Sequence, residues 1–184
     1  MKRNILLLVT SIILFNACKK EQDPFLVEKQ NIGNLTDSTQ VKDLESIFIN
    51  DSIVKFVGGD EFTGSINNID IYDKSGNHLL ILTPDEPLDS TAVIDNIRIM
   101  DPRFKTAKNI TTLSTFKDIN KAYKINRIDN LINSININVN EINAYFTIDK
   151  KELPANLRFD MKLTIEASQI PDDAKIKYFM INWN

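Results

Sequence analysis

The sequence predicts an α+β fold: an antiparallel sheet with one helix per half, arranged as two tandem helix-then-strands repeats. Three patterns in the 184-residue chain carry that expectation. Several stretches alternate apolar and polar residues, which puts one face of each strand in a core and the other in water and so favours antiparallel pairing. Two short segments instead space their apolar residues three and four apart, as an amphipathic helix does. Each of these is followed by strand-like segments. Isoleucine occurs 27 times, and its β-branched side chain suits pleated, half-buried surfaces better than long helices.

The chain opens with Lys2 and Arg3, an uncharged, mostly apolar run from Ile5 to Phe15, and then Phe15-Asn16-Ala17-Cys18. That run is roughly half of what a membrane-spanning helix needs. Two cations before it and a small residue after it make residues 1–17 a secretory leader, cleaved before the lone cysteine. The segment resembles the signal of Bacteroidota-type lipoproteins, with Phe15 and Asn16 departing from the commoner Leu-[Ala/Ser]-[Gly/Ala]-Cys form. The resemblance implies that Cys18 carries a diacylglycerol and its new amine a third acyl chain. Two or more chains hold a protein firmly on a bilayer, so the expected location is the bacterial envelope, at the outer membrane, on its periplasmic or surface-exposed face. Residues 18–30 form the lipidated tether, in which Lys19-Lys20-Glu21-Gln22-Asp23 partly resembles the Lys-plus-acidic tether that sends some of these lipoproteins to the cell surface.

Losing Lys2 and Arg3 with the leader takes the net charge from −3 to −5. An acidic domain is a poor partner for nucleic acid, which requires a basic face to displace phosphate counterions. With Cys18 committed to lipid, no thiol remains for a disulfide, a redox pair or a metal site.

Residues 31–108 form the first expected unit and residues 109–184 the second; 31–184 can also be read as one compact domain. The first helix runs from about Thr39 to Phe48, with Val41, Leu44, Ile47 and Phe48 on one face. Ile69 and Ile71 against Asp70 and Tyr72 predict a strand. Asp73-Lys74-Ser75-Gly76-Asn77 has the residues of a tight hairpin, and His78 to Leu82 returns as the partner. Val93 to Met100 is a further strand, stopped at Asp101-Pro102. In the second unit, Thr115 to Tyr123 is helical, and Thr115 with Asp118 forms a capping box. Ile135, Ile137 and Val139 against three asparagines predict a strand. Leu157 to Glu166 alternates most strictly of all and is the clearest strand in the chain. Ala174 to Trp183 closes the sheet, with Trp183 as an apolar cap.

The segment from Lys42 to Phe48 lines up with that from Lys117 to Tyr123 at an offset of 75, and Ile69–Lys74 lines up with Tyr145–Lys150 at an offset of 76. A helix-then-meander unit repeated in this way resembles the tandem halves of the β-lactamase-inhibitor protein and the single unit of small outer-membrane assembly lipoproteins. That resemblance implies protein binding across a concave sheet face and transfers no functional residue.

Nothing in the sequence names a reaction, and neither an enzyme nor a cofactor is expected. His78 is the single histidine, the carboxylates are scattered or sit in turns, and Gly58-Gly59 lacks the strand-glycine-helix context of a phosphate cradle. The candidate binding loop is Arg103, Phe104 and Lys105, which set cations and an aromatic in an otherwise acidic domain. Tyr72, Tyr145, Tyr178 and Trp183 are further candidate contact aromatics. Asp37-Ser38-Thr39, Asp51-Ser52-Ile53 and Asp89-Ser90-Thr91 resemble O-glycosylation acceptors of Bacteroidota envelopes. The sequence thus points to a lipid-anchored, non-catalytic binding or scaffolding protein. Its expected partners are the bilayer, through acylated Cys18, and an unidentified envelope protein or glycan, with a glycan-binding or glycan-processing accessory as the alternative.

Overall fold

A computed structural model describes residues 23–55 and 67–183. Cys18, most of its tether and the Gly58-Gly59 pair lie outside the described residues. In chain order the strands are β1 (Leu26–Val27), β2 (Asn31–Ile32), β3 (Leu35–Thr36), β4 (Ser52–Lys55), β5 (Ile69–Tyr72), β6 (His78–Pro84), β7 (Ile94–Ile99) and β8 (Lys105–Thr106). They are followed by β9 (Arg127–Asn130), β10 (Ser134–Val139), β11 (Ala144–Asp149) and β12 (Ile176–Asn182). Helix α1 (Leu44–Ile47) continues a 3-10 turn at Val41–Asp43, and α2 spans Phe116–Ala122.

Eight strands form one sheet in the order β4-β5-β6-β7-β12-β11-β10-β9, with every pair antiparallel. The fold is α+β, as the alternation and the two helical segments predict. Each half is a helix followed by a four-stranded meander, and the last strand of each meander, β7 and β12, meets the other at the centre. The carboxy-terminal strand therefore joins the halves instead of closing an edge. A small second sheet, β3-β2-β1-β8, has no counterpart in the sequence reading; in it β1 runs parallel to β8.

The two helices enter by the same hydrogen bonds. Val41 N donates to Ala92 O at 3.0 Å and Phe116 N to Ala174 O at 2.9 Å; Lys42 N reaches Ser90 O at 2.9 Å and Lys117 N reaches Asp172 O at 3.0 Å. At both N-termini the cap residue's own N–H donates to the carboxylate three residues on, Gln40 to Asp43 and Thr115 to Asp118. That bond satisfies an otherwise orphaned donor, and it holds the Asp118 carboxyl below the usual carboxylate range. Leu44 and Ile119, which the offset of 75 matches, are both fully buried. They pack into a core supplied by alternate residues of the large sheet, among them Ile71, Leu80, Ile97, Phe146 and Phe179. Burying each such side chain contributes about 1.5–3 kcal/mol.

Two sequence expectations are corrected. The segment Leu157 to Glu166 is not a strand but part of the long connection between β11 and β12. Only Leu157 and Ile165 reach the core, while Phe159 is 86% exposed and Met161 56%. Period two marks a strand only where a sheet edge is free to pair and one face has a core to enter. Here the core is already covered, and the segment is held to the outermost strand by side-chain bonds from Asn130 to Asp160 O and Leu163 O. The second correction concerns the match of Ile69–Lys74 with Tyr145–Lys150. β5 is the second strand of its half and β11 the third, so the topological partner of β5 is β10. The helix offset survives, but the strand offset does not, because the connections differ in length: residues 56–68 separate β4 from β5, whereas 131–133 separate β9 from β10.

Candidate functional site

The core takes one face of the large sheet and leaves the alternate residues on the other. Register aligns Asp70, Ile81, Arg98, Met180, Tyr145 and Asn138 across six successive strands of that open face. Beside this row, Tyr178 pairs with Thr147 and Thr147 with Asn136. The expectation that one face of the sheet is wet holds here, although the face is not uniformly polar.

Its centre lies at the β7–β12 junction. The Arg98 guanidinium sits 4.4 Å from the centroid of the Tyr178 ring, which is 36% exposed. Arg98 Nε is buried without a hydrogen-bond partner among the described residues. Burial pushes the Tyr145 phenol up, with Arg98 acting in the opposite direction. Towards β5, Tyr72 stacks on His78 at 4.5 Å and donates its hydroxyl to Asp70 at 3.3 Å. Burial and the Asp70 charge both raise the Tyr72 phenol. His78 Nε2 lies 3.6 Å from Asp70 Oδ2, so the single histidine is pinned between an aromatic ring and a carboxylate. Among the described residues no group of three or more His, Cys, Asp or Glu side chains could hold a metal ion. What the face offers is an arginine, aromatic rings and a thioether in one shallow field, the side chains that dominate protein recognition.

Of the aromatics singled out in sequence, Tyr72, Tyr145 and Tyr178 lie on this face. Trp183 does not; it packs against the core and donates Nε1 to Lys29 O at 3.1 Å. Arg98, Met180 and Ile81 went unnoticed. Their signal is present as the alternate positions of three expected strands, β6, β7 and β12, but alternation does not say which strands become neighbours.

The candidate loop at Arg103, Phe104 and Lys105 is built as a clasp. Phe104 is 3% exposed and meets Phe25 edge-on at 5.1 Å. Arg103 donates to Asp73 at 2.6 Å and to Asp101 at 2.8 Å, and its guanidinium lies over the Phe25 ring. Hydrogen bonds from Asn77 and Arg103 hold the Asp73 carboxyl far below the usual range, and the bond from Arg103 lowers Asp101. Lys105 is exposed in β8. The loop reading therefore stands corrected for Phe104, which belongs to the core, and for Arg103, whose charge is already spent on two carboxylates. Ser38, Ser52 and Ser90, the candidate acceptor serines, are all exposed.

An eight-stranded antiparallel sheet covered on one face by a helix from each half, with an aromatic and cationic centre on the other, defines an α+β protein with a broad open sheet face. The chain is similar in structure to the uncharacterized protein yfeY from Escherichia coli, with a TM-score of 0.53 and 12% identity over 85% of this chain and 98% of that one. At that identity the likeness shows the fold alone. No protein-family model matches the chain, and no curated protein matches it.

Proposed function

We propose that this chain is an envelope lipoprotein, anchored through Cys18, that binds a partner without catalysis across the open face of its large sheet. The observation that carries the reading is Arg98. A buried guanidinium N–H without an acceptor costs free energy in the free protein, and a partner carboxylate or carbonyl that displaces the Tyr178 ring from the Arg98 guanidinium would supply the missing bond. Arginine and tyrosine clustered at the centre of a face, ringed by polar residues, is the arrangement of a binding hot spot. The helix-then-meander halves, which resemble those of the β-lactamase-inhibitor protein, support a protein as the partner.

A second reading, glycan binding, is favoured by a hollow of about 220 Å³ at the edge of the same face, lined by Asn138, Asn140, Asn143, Asn182 and Tyr145. Amides around one ring suit sugar hydroxyls. Affinity capture from native membranes with the wild-type chain and with Arg98→Ala tests both. A protein retained by the first and lost, or bound at least tenfold more weakly, by the second is the expected result. A sugar polymer whose retention depends on Tyr145 instead would favour the second reading, and identical capture by both chains would sink the first.

A further inference from the structure

At one end of the large sheet, the β9–β10 turn and the long β11–β12 connection enclose an open hollow of about 730 Å³. Lys150, Lys151, Arg158 and Lys177 line it, with Asp149 as the one carboxylate among the lining residues. In a chain of net charge −3 this is a concentrated positive site. Asp149 offsets only part of it, lying 3.3 Å from Lys177 Nζ and 3.9 Å from Lys151 Nζ. Lys150 is 4% exposed, and its Nζ has no hydrogen-bond partner among the described residues.

The rim is apolar. Phe159 is 86% exposed, Ile132 71% and Met161 56%. A soluble surface rarely gathers side chains of this kind beside a cationic hollow unless something covers them.

Strand register places this hollow at the same end of the molecule as the start of the described chain. Leu80, Ile99, Phe179, Phe146 and Ile137 stand side by side across the sheet. From that row, the direction that leads along β6 to the 73–77 turn leads along β10 to residues 131–133. The 73–77 turn is where Asp73 meets Arg103, the residue stacked over Phe25. Cys18 is five residues before Asp23, a reach of at most about 17 Å.

We propose that this end of the sheet docks on the bilayer that holds the anchor, with Ile132, Phe159 and Met161 entering the headgroup boundary and the lysine-lined hollow taking the phosphates of anionic phospholipids. The proposal rests on the lipid-anchor reading for its geometry. Apolar side chains flanked by cations are what an anionic interface selects. Docked in this way, the sheet would stand on its end, with the open face running up from the membrane and clear of it.

The test uses the full acylated chain on phosphatidylcholine vesicles made with and without phosphatidylglycerol. An environment-sensitive fluorophore is attached through Phe159→Cys or, at the opposite end of the sheet, Asn140→Cys. Phe159 is exposed, so its replacement leaves the core intact. The expected result is a blue shift and quenching by brominated lipid at position 159, absent at position 140 and larger with phosphatidylglycerol. Lys151→Gln with Lys177→Gln should weaken the phosphatidylglycerol effect about fivefold per charge removed. Water-like emission at 159 while the chain is vesicle-bound overturns the docking; it is also what a site reserved for a protein partner would give. The mass of the amino-terminal peptide reports separately on Cys18. If Cys18 carries no lipid, the anchor reading fails while docking is still read by flotation: co-flotation with phosphatidylglycerol vesicles that Phe159→Ser abolishes supports it, and no co-flotation overturns it.

Discussion

The two halves of the sheet insert their helices alike and brace their turns differently. Leu44 and Ile119 occupy equivalent buried positions beneath equivalent backbone hydrogen bonds. The meanders beyond them are fastened by different chemistry. In the first half, the β5–β6 turn is gripped at Asp73 by Arg103, which Asp101 and the Phe25 ring hold in place. In the second, the corresponding β10–β11 turn is held by an exposed ion pair, Lys108 to Glu141 at 2.7 Å, with Lys108 also over the Tyr123 ring, and by Asn126, whose side-chain oxygen accepts from Asn140 N at 2.7 Å. The difference teaches that the helix position is a packing requirement, common to both halves, whereas the brace on each turn is free to vary.

The comparison breaks most readily at the core. Leu44→Ala and Ile119→Ala should each destabilise by about 2–5 kcal/mol in denaturant unfolding, and by similar amounts. A several-fold asymmetry would mean that the two helices are not equivalent. Removing a capping carboxylate, Asp43→Ala or Asp118→Ala, is expected to cost about 0.5–2 kcal/mol in each half by the same measurement.

The braces should differ in their response to acid. Asp73 and Asp101 have folded-state pKa values depressed below those of the unfolded chain. Their contribution is therefore fully present above an unfolded carboxyl pKa of about 3.9 and is lost as pH falls through the folded values. Thermal melts from about pH 5 downward should show a steep loss in the wild type and a shallower one in Arg103→Met. Smallest of all, Lys108→Ala should change stability by no more than about 1 kcal/mol, as expected for an exposed pair. A loss equal to that of Arg103→Met at neutral pH would erase the distinction between the braces.

Much of the fold was legible because its signals are local. Thr115 and Asp118 announce the start of α2, Asp73 and Gly76 announce a turn that is present with Gly76 at φ +81°, and Ile135 to Val139 alternate as β10 does. The proposed binding face was only partly legible. Tyr72, Tyr145 and Tyr178 could be picked out as large amphipathic rings, but Arg98 looks in sequence like any exposed strand cation. Arg103 misled for the complementary reason: its partners Asp73 and Phe25 lie far away in the chain.

By itself the sequence determined where helices cap, where turns fall and that one sheet face would be wet, because these depend on spacing within a few residues. It also carries the two cations, the apolar run and the cysteine of residues 2–18 on which the proposed anchor rests. Tertiary structure alone decided that β12 lies at the centre, that Arg98 sits over Tyr178, and that the most regular alternation in the chain, around Phe159, stays outside the sheet. Pairing depends on which edges are free and which core is already full, and those are properties of the assembled chain rather than of any segment of it.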